Sequence, residues 1–457
     1  MKKLALITFV VILLSGLFML GTRSNAQAGN PAALSPLEQL GKALFFDEDL
    51  SFNGNQSCAT CHGPAVGFTG PDAQVNASSV VYPGSYPDRF GNRKPPAAAY
   101  AGDSPLLQQD ASGSWFGGMF WDGRATGAIL GDPLAEQAQG PFLNPLEQAI
   151  PDAQTLCNKV AGPAYVNLYV AAWGSAPDCV SNVNGVYENI GRSVAAYERS
   201  REVNPFSSKF DKFWDRAKAK GKDVTKIKCG TGGRRGSGGD MGCSGSGTDP
   251  NRWSMFRNLG LTDNELIGLA VFNTQAGCSS CHSLTPATAG SHPLFTDFGY
   301  ANLGVPKNPD NPFYSMDPQW NPDGENWVDL GLGGYLQSIG DPAYETELGK
   351  QKVPTLRNVD LRPDNNFVKA YMHNGYFKSL EDIVTFYHWR AMMSGGCGGM
   401  GGGGMGGGGM GGGCGGMEGM FPPPEVDLNL ATLNMFPMMQ VSNIVTFLKT
   451  LSDGYQP

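Results

Sequence analysis

Histidine is scarce in this chain: only 5 occur among 457 residues, and none lies between His62 and His282. The formal net charge of -8 disfavours a nucleic-acid partner, because binding a phosphate backbone requires a basic surface. No apolar run long enough to span a bilayer follows Gly21, and no repeat of solenoid type is visible. These absences disfavour a nucleic-acid-binding protein, a multi-spanning membrane protein and a repeat protein.

Cysteine occurs 10 times, and four of the ten belong to two copies of the motif Cys-x-x-Cys-His. The copies consist of Cys58, Cys61 and His62 and of Cys278, Cys281 and His282. In this motif the thiols bond to the vinyl groups of a haem, and the histidine ligates its iron from one face. A zinc or redox Cys-x-x-Cys is the alternative, and the histidine that follows at both sites argues against it. The motifs predict two covalently bound c-type haems.

The N-terminus has the features of an export signal. Lys2 and Lys3 precede an apolar run from Leu4 to Gly21, and Ala26-Gln27-Ala28 offers a small-x-small cleavage site. An uncleaved membrane anchor is the alternative. In either case we expect the folded part to lie in the periplasm or at the cell surface.

The six remaining cysteines form three local couples, for which an oxidising compartment favours disulfides. The couples are Cys157 with Cys179, Cys229 with Cys243, and Cys397 with Cys414. Sequence alone does not fix this connectivity.

Helix signals dominate the patterning around the two motifs. A cap, a proline and a capping-box glutamate occur in order from Ser35 to Glu38, and a similar box runs from Thr262 to Glu265. Ser379 caps a further helix, and Val441 to Leu451 forms a closing one. Since strand-like alternation is scarce, we predict a mainly α fold with long irregular loops.

Two glycine-rich stretches look like insertions, one between two cytochrome c-like haem domains and one inside the second of these domains. The second stretch also contains methionines whose thioethers could bind Cu(I), although a flexible loop is the simpler interpretation. The predicted segments are a signal peptide (1–28), an N-terminal haem domain (29–215), a Gly/Ser-rich insertion (216–253) and a C-terminal haem domain (254–457) with a Gly/Met-rich loop (394–420).

Several motifs besides the haem sites carry a family resemblance. They are Phe120 to Ala125, Gln137 to Pro141, Asn144 to Glu147, Pro354 to Asn358, and Tyr371 to Gly375 followed by Ser379 and Leu380. With the two haem motifs, in this order, the chain resembles the bacterial di-haem cytochrome c peroxidases, and within them the MauG-like branch.

The resemblance implies roles for four residues near the N-terminal haem, which would be the peroxidatic one. Glu147 matches the acid/base carboxylate of the family, and Gln137 and Pro141 match residues that line the same distal pocket. Trp121 matches the tryptophan that relays electrons between the haems. The simpler alternatives are a solvated glutamate in the first turn of a helix and a core tryptophan.

The far side of each iron is where this sequence is most distinctive. Because no histidine lies between His62 and His282, we expect the first haem to be open or water-bound. At the second haem the family usually supplies methionine, whereas here the matching residue is Tyr387, as in the MauG-like branch. The neighbouring His388 is the alternative ligand. A phenolate would stabilise ferric and higher-valent iron.

A calcium ion between the domains is another family feature, held largely by backbone carbonyls. Here these carbonyls would belong to Val368 and Ala370. The matching side-chain asparagine falls at Lys94, with Asn92 nearby, and a lysine cannot ligate calcium.

The function implied by the resemblance is reduction of hydrogen peroxide at the N-terminal haem. Electrons would pass through the C-terminal haem from a c-type cytochrome or a blue-copper protein. One alternative is MauG-like oxidation of a partner protein's side chain through a shared ferryl state. Another is a non-catalytic electron carrier with two haems. The sequence is also compatible with a homodimer.

Overall fold

The computed structural model describes residues 33–230, 243, 248–288, 290–393 and 420–456. The α-helices in this part of the chain are α1 (Pro36–Phe46), α2 (Cys58–Cys61), α3 (Ala73–Ala77), α4 (Pro133–Leu143), α5 (Ala153–Val160), α6 (Val166–Trp173), α7 (Val183–Arg199), α8 (Lys209–Ala219), α9 (Asp263–Asn273), α10 (Gly331–Ser338), α11 (Tyr344–Glu347), α12 (Leu380–Met392) and α13 (Val441–Lys449). The strands are β1 (Gln108–Gln109), β2 (Trp115–Phe116), β3 (Tyr300–Ala301) and β4 (Gln351–Lys352).

The sheet content is limited to two short antiparallel pairs. β1 pairs with β2, with Gln108 opposite Phe116, and β3 pairs with β4, with Tyr300 opposite Lys352. The prediction of a mainly α fold is therefore confirmed.

The predicted helix starts are formed by the expected capping groups. The Ser35 hydroxyl accepts the Glu38 amide N–H at 3.3 Å, while the Glu38 carboxylate accepts the Ser35 N–H at 2.7 Å. Thr262 and Glu265 make the same reciprocal pair at the start of α9. Such boxes satisfy amide groups that have no partner inside the helix.

Two helix pairs form the cores around the two haem motifs. In the first, α1 packs on α7, and a Cβ placed on Gly41 would lie 1.8 Å from the Ser193 carbonyl oxygen. In the second, α9 packs on α13, and a Cβ on Gly268 would lie 2.0 Å from the Asn443 carbonyl oxygen. Glycine is required at both crossings because the two backbones approach each other closely.

The core residues follow the same division. Leu40, Leu44, Phe45 and Ile190 are buried in one cluster, and Phe210, Leu266, Phe272 and Phe447 are buried in another. Residues Leu34–Pro457 nevertheless form one compact unit, so the division into two haem domains stays a prediction. α8 crosses the predicted boundary between residues 215 and 216.

Two of the predicted disulfides are present, Cys157–Cys179 and Cys229–Cys243. The predicted Cys397–Cys414 pair, the signal peptide (1–28) and nearly all of the Gly/Met-rich loop lie outside the described residues. No helix in the described part of the chain is long and apolar enough to cross a membrane.

Candidate haem and peroxide site

The first Cys-x-x-Cys-His motif forms α2 and the residue after it. The His62 amide N–H donates to the Cys58 carbonyl at 2.9 Å, which closes the helical turn and brings the three side chains together. The His62 Nδ1 lies 3.1 Å from the Phe68 carbonyl, and a carbonyl can only accept, so this nitrogen is the donor. Burial lowers the pKa of His62 to about 4, so the ring is neutral at neutral pH. The Nε2 lone pair is therefore free to ligate a metal.

The second motif repeats this geometry. The His282 amide N–H donates to the Cys278 carbonyl at 2.8 Å, and its Nδ1 donates to the Phe295 carbonyl at 2.9 Å. Burial lowers the pKa of His282 as well. Among the described cysteines, those outside the two motifs are in disulfides, whereas Cys58, Cys61, Cys278 and Cys281 are free. Two free thiols and an oriented neutral imidazole at each motif are the donor set that a c-type haem needs.

A cavity of about 990 Å³, counted with its open mouth, lies over the first motif. It is lined by Cys58, Cys61 and His62 together with Trp121, Gln137, Pro141 and Glu147. The structure thus brings together every residue that the sequence assigned to the peroxidatic site.

Glu147 is positioned by the turn that ends α4. The Glu147 amide N–H donates to the Asn144 carbonyl at 3.0 Å, and the Asn144 side-chain amide donates to the Glu147 carboxylate at 3.0 Å. Burial raises the pKa of Glu147, and the positive charge of Arg124 opposes this only in part. The carboxyl therefore keeps its proton to a higher pH than an exposed glutamate would, as suits a group that must both take and give a proton.

Sequence reasoning missed a second carboxyl in the same cavity, that of Glu198 on α7. Glu198 is 4 % exposed, and one of its carboxyl oxygens has no hydrogen-bond partner among the described residues. Burial raises its pKa to about 8. The signal was present in the sequence, because Glu198 follows Ile190 and Val194 at helical spacing and so falls on the buried face of α7.

Two glutamines complete the polar lining of this cavity. Gln56 and Gln148 are both buried, and the side-chain oxygen of each has no partner among the described residues. Buried polar atoms in proteins are nearly always hydrogen-bonded. The unpartnered oxygens of Gln56, Gln148 and Glu198 therefore fit a cavity that holds a polar ligand or water.

A second cavity of about 1980 Å³, again counted with its open mouth, lies over the second motif. Tyr387 of α12 lines it together with Cys278, Cys281 and His282. His388 does not line it, and its Nδ1 instead donates to the Phe436 carbonyl at 2.7 Å. Burial raises the pKa of the Tyr387 phenol. Of the two candidate ligands, Tyr387 alone borders the space beside His282.

Trp121 lines both cavities and is 8 % exposed. Its indole N–H donates to the Lys94 backbone carbonyl at 2.8 Å. Nearby, Arg93 donates to both carboxylate oxygens of Asp329 at 2.7 Å and to Asp122 at 2.5 Å. Arg93 borders the first cavity and Asp329 borders the second, so these buried bonds fix the two cavities relative to each other.

The residues expected to bind calcium do not fit that ion. The Val368 carbonyl accepts the Asn76 side-chain amide at 3.1 Å, and Ala370 lines the second cavity. At the position of the side-chain ligand, the Lys94 ammonium donates to the Thr69 hydroxyl and to the Pro95 carbonyl, both at 2.9 Å. Calcium takes six to eight oxygen ligands, and an ammonium group is not a ligand.

Fold and site together define a mainly α protein with two cavities, each beside a Cys-x-x-Cys-His motif, and with the Glu147 carboxyl in the first of them. The family model for di-haem cytochrome c peroxidases matches residues 35–219. MauG of Paracoccus denitrificans, a methylamine utilization protein, is 31% identical over 369 residues, which cover 80% of this chain and 77% of that protein. Cytochrome-c peroxidase IdrP2 of Pseudomonas sp. strain SCT is 26% identical, covering 79% of this chain and 75% of its own.

A solved structure agrees with these relatives. The di-haem peroxidase BthA of Burkholderia thailandensis superimposes with a TM-score of 0.64 at 27% identity, covering 93% of this chain and 87% of that one. The chain belongs to the di-haem cytochrome c peroxidase and MauG family, and it is an oxidoreductase of the peroxidase type. Membership implies two c-type haems.

Proposed function

We propose that this protein reduces hydrogen peroxide in the cavity of His62, with electrons delivered through the cavity of His282. Each peroxide takes up two electrons and two protons, its O–O bond breaks, and two water molecules leave. The observation that carries the proposal is that Glu147 and His62 line one cavity, and that Trp121 borders both this cavity and the next.

The protein's own groups supply positioning and proton transfer. A c-type haem, when bound, supplies an iron that accepts peroxide and exchanges electrons one at a time. His62 holds this group through Nε2, because its Nδ1 is engaged by the Phe68 carbonyl. Glu147 takes a proton from the near oxygen of peroxide and delivers it to the departing oxygen. Gln137 and Pro141 border the same space and restrict how peroxide can lie in it.

Electrons reach this site by way of Trp121. Its indole is held rigidly by the Lys94 carbonyl, so the path between the cavities has one fixed geometry. Tyr387 and His282 line the same cavity, and both would hold the iron of a second haem. As a phenolate, Tyr387 favours the oxidised states of the iron, so the second site can hold part of the oxidising power.

The reductant in this proposal is a small electron-transfer protein, such as a c-type cytochrome or a blue-copper protein. Two such donors, each giving one electron, balance one peroxide. The N-terminal export signal would place the reaction in the periplasm or at the cell surface.

A second candidate function is oxidation of a partner protein's side chain. Tyr387 beside the second motif and the 31% identity to a MauG protein favour it. In that case the side chain, rather than a donor protein, loses the two electrons. A pure electron carrier is disfavoured, because a carrier has no use for a buried carboxyl in an accessible haem cavity.

Stoichiometry separates these functions. The holoprotein is mixed with a reduced c-type cytochrome and hydrogen peroxide, and both are followed spectroscopically. The proposal predicts that two cytochromes are oxidised for each peroxide consumed, with many turnovers. Peroxide consumed once, with no donor oxidation, would favour oxidation of a partner protein. No peroxide consumption at all would reject both and leave the carrier.

A further inference from the structure

Two buried lysines lie at the junction of the haem cavities, and neither forms an ion pair in the described part of the chain. Lys94 is 8 % exposed, and Lys369 is 4 % exposed. A buried ammonium without a carboxylate is costly, so such groups are rare unless other contacts compensate. Here the compensation comes from neutral oxygens.

Lys369 is held by three backbone carbonyls. Its ammonium donates to Val66 at 2.9 Å, to Asn358 at 2.7 Å and to Leu361 at 2.9 Å. A protonated amine has three N–H donors and no acceptor, so these carbonyls use all of them. A neutral amine would have only two donors, and its lone pair would face oxygens. The hydrogen bonds therefore favour the charged form, although burial lowers the pKa.

These contacts join distant parts of the chain. Val66 follows the first haem motif, whereas Asn358 and Leu361 follow the second. The arrangement is that of a cation site, in which carbonyl oxygens converge on a positive charge supplied by the chain itself.

Lys94 is the second lysine of the junction, and its side-chain nitrogen has two hydrogen-bond partners. This nitrogen binds the Thr69 hydroxyl and the Pro95 carbonyl, and the backbone N–H of Lys94 donates to the His373 carbonyl at 2.8 Å. Its backbone carbonyl holds the Trp121 indole. Lys94 lines both cavities. Burial lowers the pKa of Lys94 to about 7, and a positive charge on Lys94 lowers the pKa of Lys369 further.

We propose that the side-chain nitrogens of Lys94 and Lys369 take the structural place of a calcium ion between the two haem sites, so that this protein assembles its junction without calcium. The Lys369 ammonium repels a divalent cation, and the carbonyls that it binds are engaged by its N–H donors. The side-chain nitrogen of Lys94, which is held by the Thr69 hydroxyl and the Pro95 carbonyl, is not a calcium ligand. The Val368 carbonyl, the expected ligand, is occupied in part by Asn76. This inference does not depend on the proposed peroxidase activity.

The test is a calcium analysis of the full-length holoprotein after passage through calcium-free buffer. Elemental analysis should find far less than one calcium per chain. Thermal unfolding and the visible haem spectrum should not change with excess EGTA or with added calcium chloride. Stoichiometric calcium, or a fall in the melting temperature with EGTA, would overturn the proposal.

The contribution of Lys94 is tested by Lys94→Met, which keeps most of the side chain and removes the nitrogen that binds Thr69 and Pro95. This variant should melt several degrees lower than the wild type, because each kcal/mol lost lowers Tm by a few degrees. Lys218→Met, which removes an exposed lysine, is the matched control and should melt as the wild type does. A Lys94→Met protein with the melting temperature of the wild type would show that the side-chain nitrogen supports nothing. If the variant does not fold, the calcium analysis of the wild type still shows whether the junction forms without calcium.

Discussion

Replacing Glu147 by glutamine tests the proposed proton transfer most closely. The amide has nearly the shape of the carboxyl, and its oxygen can still accept the hydrogen bond that Asn144 donates at 3.0 Å. What it loses is the ability to take and give a proton. The half-buried position of Glu147 is kept, so the change isolates the chemistry from the packing.

The expected loss follows from the size of general acid–base catalysis. A positioned acid/base group contributes roughly 10²–10⁴-fold to a rate. This corresponds to about 3–5 kcal/mol of transition-state stabilisation. We therefore expect kcat/KM for hydrogen peroxide to fall by about two to four orders of magnitude in Glu147→Gln, measured with a reduced one-electron donor. Haem content and the ferric spectrum should stay as in the wild type.

A matched control comes from Glu48→Gln. Glu48 is an exposed glutamate in the same half of the chain, and it does not border either cavity. This variant should keep the wild-type rate. The reasoning is refuted if Glu147→Gln, with full haem content, reduces peroxide within a few-fold of the wild-type rate.

Three further predictions concern the rest of the site. Trp121→Phe removes the indole that borders both cavities, so peroxide should still react at the first haem while oxidation of the second haem slows by at least about tenfold. Stopped-flow spectra would follow the two haems separately. An unchanged rate of oxidation of the second haem would reject the route through Trp121. Tyr387→Met replaces a phenol by a thioether and should raise the reduction potential of the second haem but not of the first. A spectroelectrochemical titration measures both potentials, and an unchanged potential of the second haem would mean that Tyr387 is not a ligand. Burial raises the pKa of Glu198 to about 8, so folding is penalised increasingly as the pH rises from about 4.5 towards 8. The side chain in Glu198→Gln cannot ionise, so this variant should melt at a higher temperature than the wild type at pH 8 but not at pH 5. An equal rise in melting temperature at both pH values would contradict a buried carboxyl with a raised pKa.

Local signals in the sequence predicted the helices and the haem attachment well. The capping boxes at Ser35 and Thr262 lie at the start of α1 and α9, because a cap involves only residues within one turn. The haem motif is equally local, since the turn from Cys58 to His62 brings its three side chains together. For Glu147, Gln137 and Pro141 the prediction needed the family resemblance, and the structure places all three in one cavity.

The remaining features depend on contacts between residues far apart in the chain. The role of Lys94 becomes recognisable only when the partners of its side-chain nitrogen, the Thr69 hydroxyl and the Pro95 carbonyl, are known. The choice between Tyr387 and His388 likewise depends on the Phe436 carbonyl, which lies 48 residues further on and engages the histidine. Composition and motif spacing do not predict hydrogen-bond partners that are so far apart in the chain. Glu198 is the exception, because its helical spacing from Val194 already predicts a position on the buried face of α7.

The most direct test of the account as a whole is electron paramagnetic resonance of the purified ferric holoprotein, before and after hydrogen peroxide is added without a reductant. An open haem at His62 and a six-coordinate haem at His282 predict one high-spin and one low-spin signal, both of which disappear with peroxide. Two low-spin signals that peroxide does not change would contradict an open peroxidatic site. They would place the protein with the members that need activation, or with the electron carriers.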